Sequence, residues 1–131
     1  MAKILGIDYG KKRIGVALSD EGGEFAFPFS VIDNGKSAVA KIKEICVSEG
    51  VKKIVVGESL DSEGRENPIM KEARFFAEEL SGGTGTEIFF EKEFMTSVEA
   101  HRFAFKEQEK KGRQEVDASA AALILQRYLD K

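Results

Sequence analysis

Apolar and polar residues follow one spacing in the first quarter of the chain and another after it. Residues 3–8 (KILGID), 13–18 (RIGVAL) and 25–32 (FAFPFSVI) are short apolar runs. The stretch YGKKR separates the first two, and Gly22-Gly23 precedes the third, as turns require. Three such runs in quick succession predict an antiparallel meander. Pro28 cannot donate a ladder hydrogen bond, so it places the third strand at an edge or a bulge.

Helical spacing then takes over. Val39, Ile42, Ile45 and Cys46 recur at three- and four-residue steps, with Asn34 or Ser37 as a start and Gly50 as a stop. Residues 53–57 (KIVVG) read as a buried strand. Residues 59–67 (SLDSEGREN) read as a polar loop with little to bury, expected to move as a flap. Asn67-Pro68 predicts an N-cap and first helical position, with Ile69, Ala73, Phe76 and Leu80 as the inner stripe. After SGGTG (81–85) comes a strand, TEIFF (86–90). Thr96 and Glu99 form a capping box for a helix with Ala100, Phe103 and Ala104 facing inward. A charged connection, KEQEKKGRQ (106–114), leads to Asp117 and a final helix, ASAAALILQRYL, whose small residues let it sit close on a sheet. Val55, Val56 and the phenylalanines are assigned to the core. The order β-β-β-α-β-α-β-α-α predicts an α/β fold: a mixed five-stranded sheet with helices on both faces.

Composition narrows the class. The 131 residues are 42% hydrophobic, enough for one domain (1–131) with one core and too apolar for disorder. No apolar run is long enough to span a membrane, and MAKILGIDYG does not resemble a signal peptide, so a soluble cytoplasmic protein is expected. One cysteine, Cys46, excludes an intramolecular disulfide. With a single histidine, His101, it also excludes a conventional structural zinc site. The net charge of −3 does not announce a nucleic-acid binder, so such a partner needs a local basic surface.

Three segments could carry chemistry. In GIDYGKKRIGVALSD (6–20), Asp8 closes an otherwise apolar strand, where a carboxylate costs desolvation unless it has a partner or a task. Gly6 and Gly10 allow close backbone approach, and Lys11, Lys12 and Arg13 follow. Carboxylate, glycine and cations together suit a metal-and-phosphate site; the plainer alternative is a charged hairpin tip. In EKEFMTSVEA (91–100), Glu91 and Glu93 alternate along an extended chain and so share a face; alone they read as a solvated strand end. Asp117 alone reads as an N-cap. The stretch GKS (35–37) lacks the glycine five residues before Gly35 that a P-loop needs, and reads as an ordinary helix start. His101 reads as structural or solvated, and Cys46 as a small core hydrophobe. The charge run 106–113 reads as a solvated loop.

Together the three segments resemble the YqgF/RuvX family of Holliday-junction-resolvase-like proteins with an RNase H fold. The family opening D-x-G-x-x-R-I-G-V-A is matched by Asp8, Gly10, Arg13, Ile14, Gly15, Val16 and Ala17. The similarity continues at Pro28, IVVG (54–57), Leu60, Gly64 and the E-x-x-T-[TS]-x-x-A stretch of Glu93, Thr96, Ser97 and Ala100, and closes at VDASAAALILQRYL (116–129). It spans essentially the whole chain, and its opening and closing motifs are the specific ones. The resemblance implies an RNase H-like nuclease that is metal-dependent, uses Mg²⁺ or Mn²⁺ and is associated with maturing the 5′ end of pre-16S rRNA. It implies Asp8, Glu93 and Asp117 as catalytic and metal-holding acids. Gly10, Lys11, Lys12 and Arg13 would receive substrate phosphates. Glu58, just past IVVG, is carried as a fourth metal candidate, because related resolvases place an acid near the end of this strand.

This chain departs from the family in having Lys92-Glu93-Phe94 where Asp-Glu-Arg is usual, Ser59 for a proline and Glu63 for an aspartate. These changes bear on substrate handling more than on the three acids. The expected partners are structured RNA, branched DNA or pre-ribosomal particles, with the protein a monomer or a weak homodimer. The competing readings are a Holliday junction resolvase acting on DNA, a non-catalytic RNA-binding or ribosome-assembly factor, and an ATP-binding protein of the actin and hexokinase type. The last normally needs two lobes where 131 residues supply one.

Overall fold

The computed structural model describes residues 2–60, 63–82, 85–94 and 113–131, with side chains excepted at 93–94 and 113–117. The elements run β1 (Ile4–Tyr9), β2 (Arg13–Ser19), β3 (Ala26–Asp33), α1 (Ala38–Glu49), β4 (Lys53–Leu60), α2 (Ile69–Ser81), β5 (Glu87–Phe94) and α3 (Arg113–Leu129). The capping box at Thr96 and Glu99, its helix, His101, Lys110 and Lys111 lie outside the described residues.

One five-stranded sheet has the order β3-β2-β1-β4-β5. The meander is antiparallel, whereas β1, β4 and β5 are parallel. The α/β architecture and mixed sheet expected from the spacing are therefore present. Strand β1 is central because its neighbours form by two routes: a short hairpin gives β2, and a helical crossover through α1 gives β4. Pro28 satisfies both of its expectations. It lies on the edge strand, and the β2–β3 register shifts between Val16 and Ala17, where Ala17 faces Pro28 and Val16 faces Ser30.

Alternation along each strand divides the core in two. Leu5, Ile7, Ile14, Val16, Leu18, Ile54 and Val56 pack with Ala38, Ile42 and Cys46 of α1 and Phe76, Ala77 and Leu80 of α2. On the other face Ala17 and Val55 pack with Ala121, Ile124 and Leu125 of α3. Alanines are what this second layer needs. A Cβ on Gly6 would fall 2.8 Å from Leu125 Cβ and 3.0 Å from the Ala121 carbonyl oxygen, so α3 rests almost on the β1 backbone.

Several expectations need correcting. The phenylalanines are not all core: Phe25, Phe27, Phe29 and Phe75 are exposed, Phe75 by 64%. Phe27 shares a row with Leu18, but β3 is the edge strand and no buried residue of the helical layer comes from it, so its aromatics stay outside. In α2, Met70 is buried where Ile69 was expected, and Pro68 immediately precedes the helix. The two ends of 59–67 are held to the sheet, which a freely moving flap would not be. Strand β4 continues to the buried Leu60, which bridges to Glu66, and Asn67 donates its backbone N–H to the Ser59 carbonyl at 3.0 Å. The buried apolar anchor and the bridge thus tie down both ends of the segment. Helix α3 starts at Arg113, four residues before Asp117. Asp117 therefore sits inside the helix and is not its N-cap.

Candidate active site

Asp8 lies near the C-terminal end of the central strand, with Gly15 of β2 opposite it. On the other side, β1 and β4 pair through Ile7 and Val56, so the next row sets Asp8 beside Gly57. Glycine therefore flanks Asp8 on both neighbouring strands, and no side chain fills the flanking positions of that face. Pleating turns Asp8 to the face of Gly6, where α3 packs, and turns Ile7 and Tyr9 to the α1–α2 face. Asp8 is half-buried there.

The row continues past Gly57 to Glu91 of β5. Glu91 is buried, and Lys131 Nζ approaches its Oε1 at 2.9 Å. Glu93 takes a register position of the same parity two residues further on, paired with Ser59. Two strand spacings of about 4.8 Å and two residues along the strand put its backbone roughly 12 Å from that of Asp8. The side chains of Glu93 and Asp117 are outside those described. Among the described residues, no three His, Cys, Asp or Glu side chains gather as a metal cluster.

Contacts of its C-terminal half fix the direction of α3. Gln126 Oε1 accepts the Ala26 N–H at 2.9 Å, and Ala26 pairs with Ser19, whose hydroxyl accepts the Ile4 N–H at 2.8 Å. The C-terminal part of α3 thus covers the start of β1, while Ala121 and Leu125 cover Gly6. One turn back from Ala121 the helix has moved about 6 Å toward its N-terminus. Two residues from Gly6 to Asp8 cover about 6.6 Å in the same direction. Going back from Ala121, the four residues to Asp117 carry the helix away from the start of β1.

Glu58 is on the other side. It has the parity of Ile54 and Val56, which pack under the helices, and its carboxylate accepts a hydrogen bond from Arg74 Nη2 at 3.1 Å. Arg74 also pairs with Glu66 and lies 4.8 Å over the Phe90 ring. These carboxylates keep the Arg74 guanidinium more firmly protonated than usual, Glu66 foremost. The pleat separates Glu58 from the Asp8 face, so the structure gives it a cation partner and no place in the row of acids.

The hairpin after Asp8 is held by packing and by one side chain. A Cβ on Gly10 would fall 2.5 Å from the Arg13 carbonyl oxygen, so only glycine fits. Asn34 donates through Nδ2 to the Gly10 carbonyl at 2.8 Å and through its backbone N–H to the Lys12 carbonyl at 2.9 Å. Asn34 is thus a hairpin clamp rather than a helix cap. Lys11 and Lys12 are exposed and pair with no described acid. Nothing in the pattern around Asn34 signalled this role, because its partners are distant in sequence. The glycines beside Asp8 were visible in RIGVA and IVVG, but only register makes them neighbours.

A family model described as RuvX, Holliday junction resolvase, matches residues 2–131. A protein of Sulfurihydrogenibium sp. named as a candidate pre-16S rRNA nuclease is 35% identical over all of this chain and 92% of its own length. A protein of the same description from Ruminiclostridium cellulolyticum is 38% identical over 98% of this chain and 94% of its own. Among solved structures, Thermus thermophilus RuvC in complex with a Holliday junction substrate superposes with a TM-score of 0.58 at 14% identity, covering 98% of this chain and 94% of that one. The fowlpox virus resolvase bound to Holliday junction DNA gives 0.56 at 12% identity, covering 98% and 99%. At such identities these two likenesses speak for the fold alone, and the fold is that of the RNase H-like resolvases. The full-length match and the relatives above 30% identity establish more: the chain belongs to the RuvX family.

Proposed function

We propose that this protein is a metal-dependent nuclease that hydrolyses phosphodiester bonds in structured RNA, with the 5′ end of pre-16S rRNA as its substrate. The observation that carries the reading is the setting of Asp8. It stands on the central strand with glycine on both sides, on the face covered by α3, the helix that includes Asp117, and its row reaches Glu91 of β5, two residues before Glu93.

The donor set fits a hard divalent ion. Carboxylate oxygens suit Mg²⁺ or Mn²⁺, and nothing here requires histidine or cysteine. Asp8, Glu93 and Asp117 would hold the metal, which when bound supplies an activated water and neutralises charge on the phosphate. The remaining work falls to the chain. Lys11 and Lys12 offer cations to phosphates flanking the scissile one, positioning the strand without reading its sequence. Gly10 and Asn34 fix the hairpin that presents them. Gly15 and Gly57 leave room beside the Asp8 carboxylate.

The test is purified protein with a pre-16S 5′ leader RNA and with a four-way DNA junction, each with Mg²⁺, Mn²⁺ or EDTA. RNA cleavage that EDTA stops and Asp8→Asn abolishes is expected. RNA binding that survives chelation, without cleavage, would favour a non-catalytic assembly factor. Symmetric nicking of the junction alone would favour a resolvase, a reading supported by the likeness in fold to two of them.

A further inference from the structure

The α1–α2 face carries an open cleft at the same end of the sheet as Asp8. Its volume is about 680 Å³, and its lining includes Tyr9, Lys36, Lys71, Phe75 and Phe76. Tyr9 and Phe76 are packed together, ring centroids 5.1 Å apart, and form a fixed aromatic floor. Phe75 is 64% exposed beside that floor, its ring open to an approaching group. Lys36 and Lys71 are both exposed at the rim. Asn34, also in the lining, ties this wall to the Gly10–Lys12 hairpin, so the two cations of the cleft and the two of the hairpin form one continuous surface. Tyr9 directly follows Asp8 in the strand, and the pleat puts the two on opposite faces.

We infer that this cleft takes an unstacked base of the substrate strand, held against Phe75 with its phosphates on Lys36 and Lys71. The inference rests on the nuclease reading and extends it past the metal-holding acids. Charge favours a nucleic acid once the hairpin is counted: Lys36, Lys71, Lys11 and Lys12 outnumber Glu72 and Glu79, and exposed cations beside an aromatic surface hold single strands without sequence readout. Glu72 and Glu79 also line the cleft and offer acceptors to an exocyclic amine on the base. A strand crossing the sheet end would pass Asp8 on one face and lay its next bases against Phe75 on the other. The exposed ring then has an occupant, and the flank of the scissile bond is held in register.

The chain has no tryptophan, so Phe75→Trp introduces a single reporter at the cleft. The full-length protein is titrated in EDTA, so that nothing is cleaved, with a single-stranded adenine-rich RNA and with an abasic strand of the same length and charge. Expected is quenching of the tryptophan by the RNA and not by the abasic strand. Phe75→Ala should weaken RNA binding by anisotropy roughly 5- to 150-fold, the range for loss of one base–aromatic stack, with the salt dependence unchanged. Lys36→Ala with Lys71→Ala should instead flatten the salt dependence. RNA that binds Phe75→Ala as tightly as the parent, or an abasic strand that quenches equally, would overturn the inference and leave the cleft to a protein partner. Those results leave the nuclease reading standing; absence of any RNA binding by the parent would remove both.

Discussion

Gly6 of the central strand and Leu125 of the last helix approach so closely that a Cβ on the glycine would lie 2.8 Å from Leu125 Cβ. The clash would involve backbone as well, because the Ala121 carbonyl oxygen sits 3.0 Å from the same point. Neither neighbour is the end of a flexible chain, so Gly6→Ala must push α3 off the sheet. Overpacking of this kind costs about 1–3 kcal/mol. We expect a lower urea midpoint with an unchanged slope. Since α3 also carries Asp117, we further expect nuclease activity to fall more than the loss of folded protein accounts for. Activity that simply tracks the folded fraction would separate the helix position from catalysis.

Cys46 gives a prediction that does not depend on function. Burial among α1 and sheet residues pushes its thiol up to about 11 from an ordinary 9.0. The folded state therefore resists ionisation that the unfolded state accepts. Below pH 9 both forms keep the proton and the contribution is fully present; between pH 9 and about 11 the unfolded chain ionises first and stability is lost. Cys46→Ala should show a shallower fall in denaturation midpoint across that window. A thiol reagent should label native protein at pH 8 only as fast as the chain opens. Immediate labelling would show the thiol to be accessible.

Much of this architecture was legible because it is written locally. The meander, the edge position of Pro28, both crossover helices and the place of Asp8 on its strand follow from spacing and turn residues over short windows. What was not legible depends on register or on distant partners. Whether Glu58 joins Asp8 depends on which face each occupies, and that is set by Ile7 meeting Val56 across two strands far apart in sequence. Asp117 resembled an N-cap because Arg113 to Val116 lack an apolar period, yet these residues are helical. Phe75 and Phe76 are adjacent and chemically alike, but the turn of α2 buries Phe76 and leaves Phe75 outside. The separation of the three carboxylates turns on the side chains of Glu93 and Asp117, which lie outside those described.

Substrate binding should be strongly salt-dependent although the chain is acidic. The net charge of −3 gives no general attraction, so binding must come from local cations, chiefly the exposed Lys11 and Lys12. Each phosphate neutralised releases counterions, and replacing both lysines should reduce the log–log salt slope by about 1–2. Single Lys11→Ala and Lys12→Ala proteins should weaken all sequences alike, because phosphate contacts carry no base information. An affinity that stays flat from low to physiological salt, measured by anisotropy in EDTA, would remove the hairpin from the interface.

The acids themselves can be sorted by neutral isosteres. Asp8→Asn, Glu93→Gln and Asp117→Asn should each abolish metal-dependent cleavage while the far-ultraviolet spectrum stays native, since each removes a charge and little volume. Glu58→Gln should keep its activity, because its carboxylate belongs to Arg74 on the opposite face. The Asp117 substitution is the sharpest of the four. A capping aspartate would tolerate asparagine with little loss, but Asp117 is the fifth residue of α3 and does not precede it. An inactive Asp117→Asn protein therefore cannot be put down to a frayed helix start. If folding is intact and Mg²⁺ no longer stabilises the protein against heat, as it should stabilise the parent, Asp117 holds metal. Full cleavage by Asp117→Asn, or loss of cleavage in Glu58→Gln, would redraw the site around β4 rather than α3.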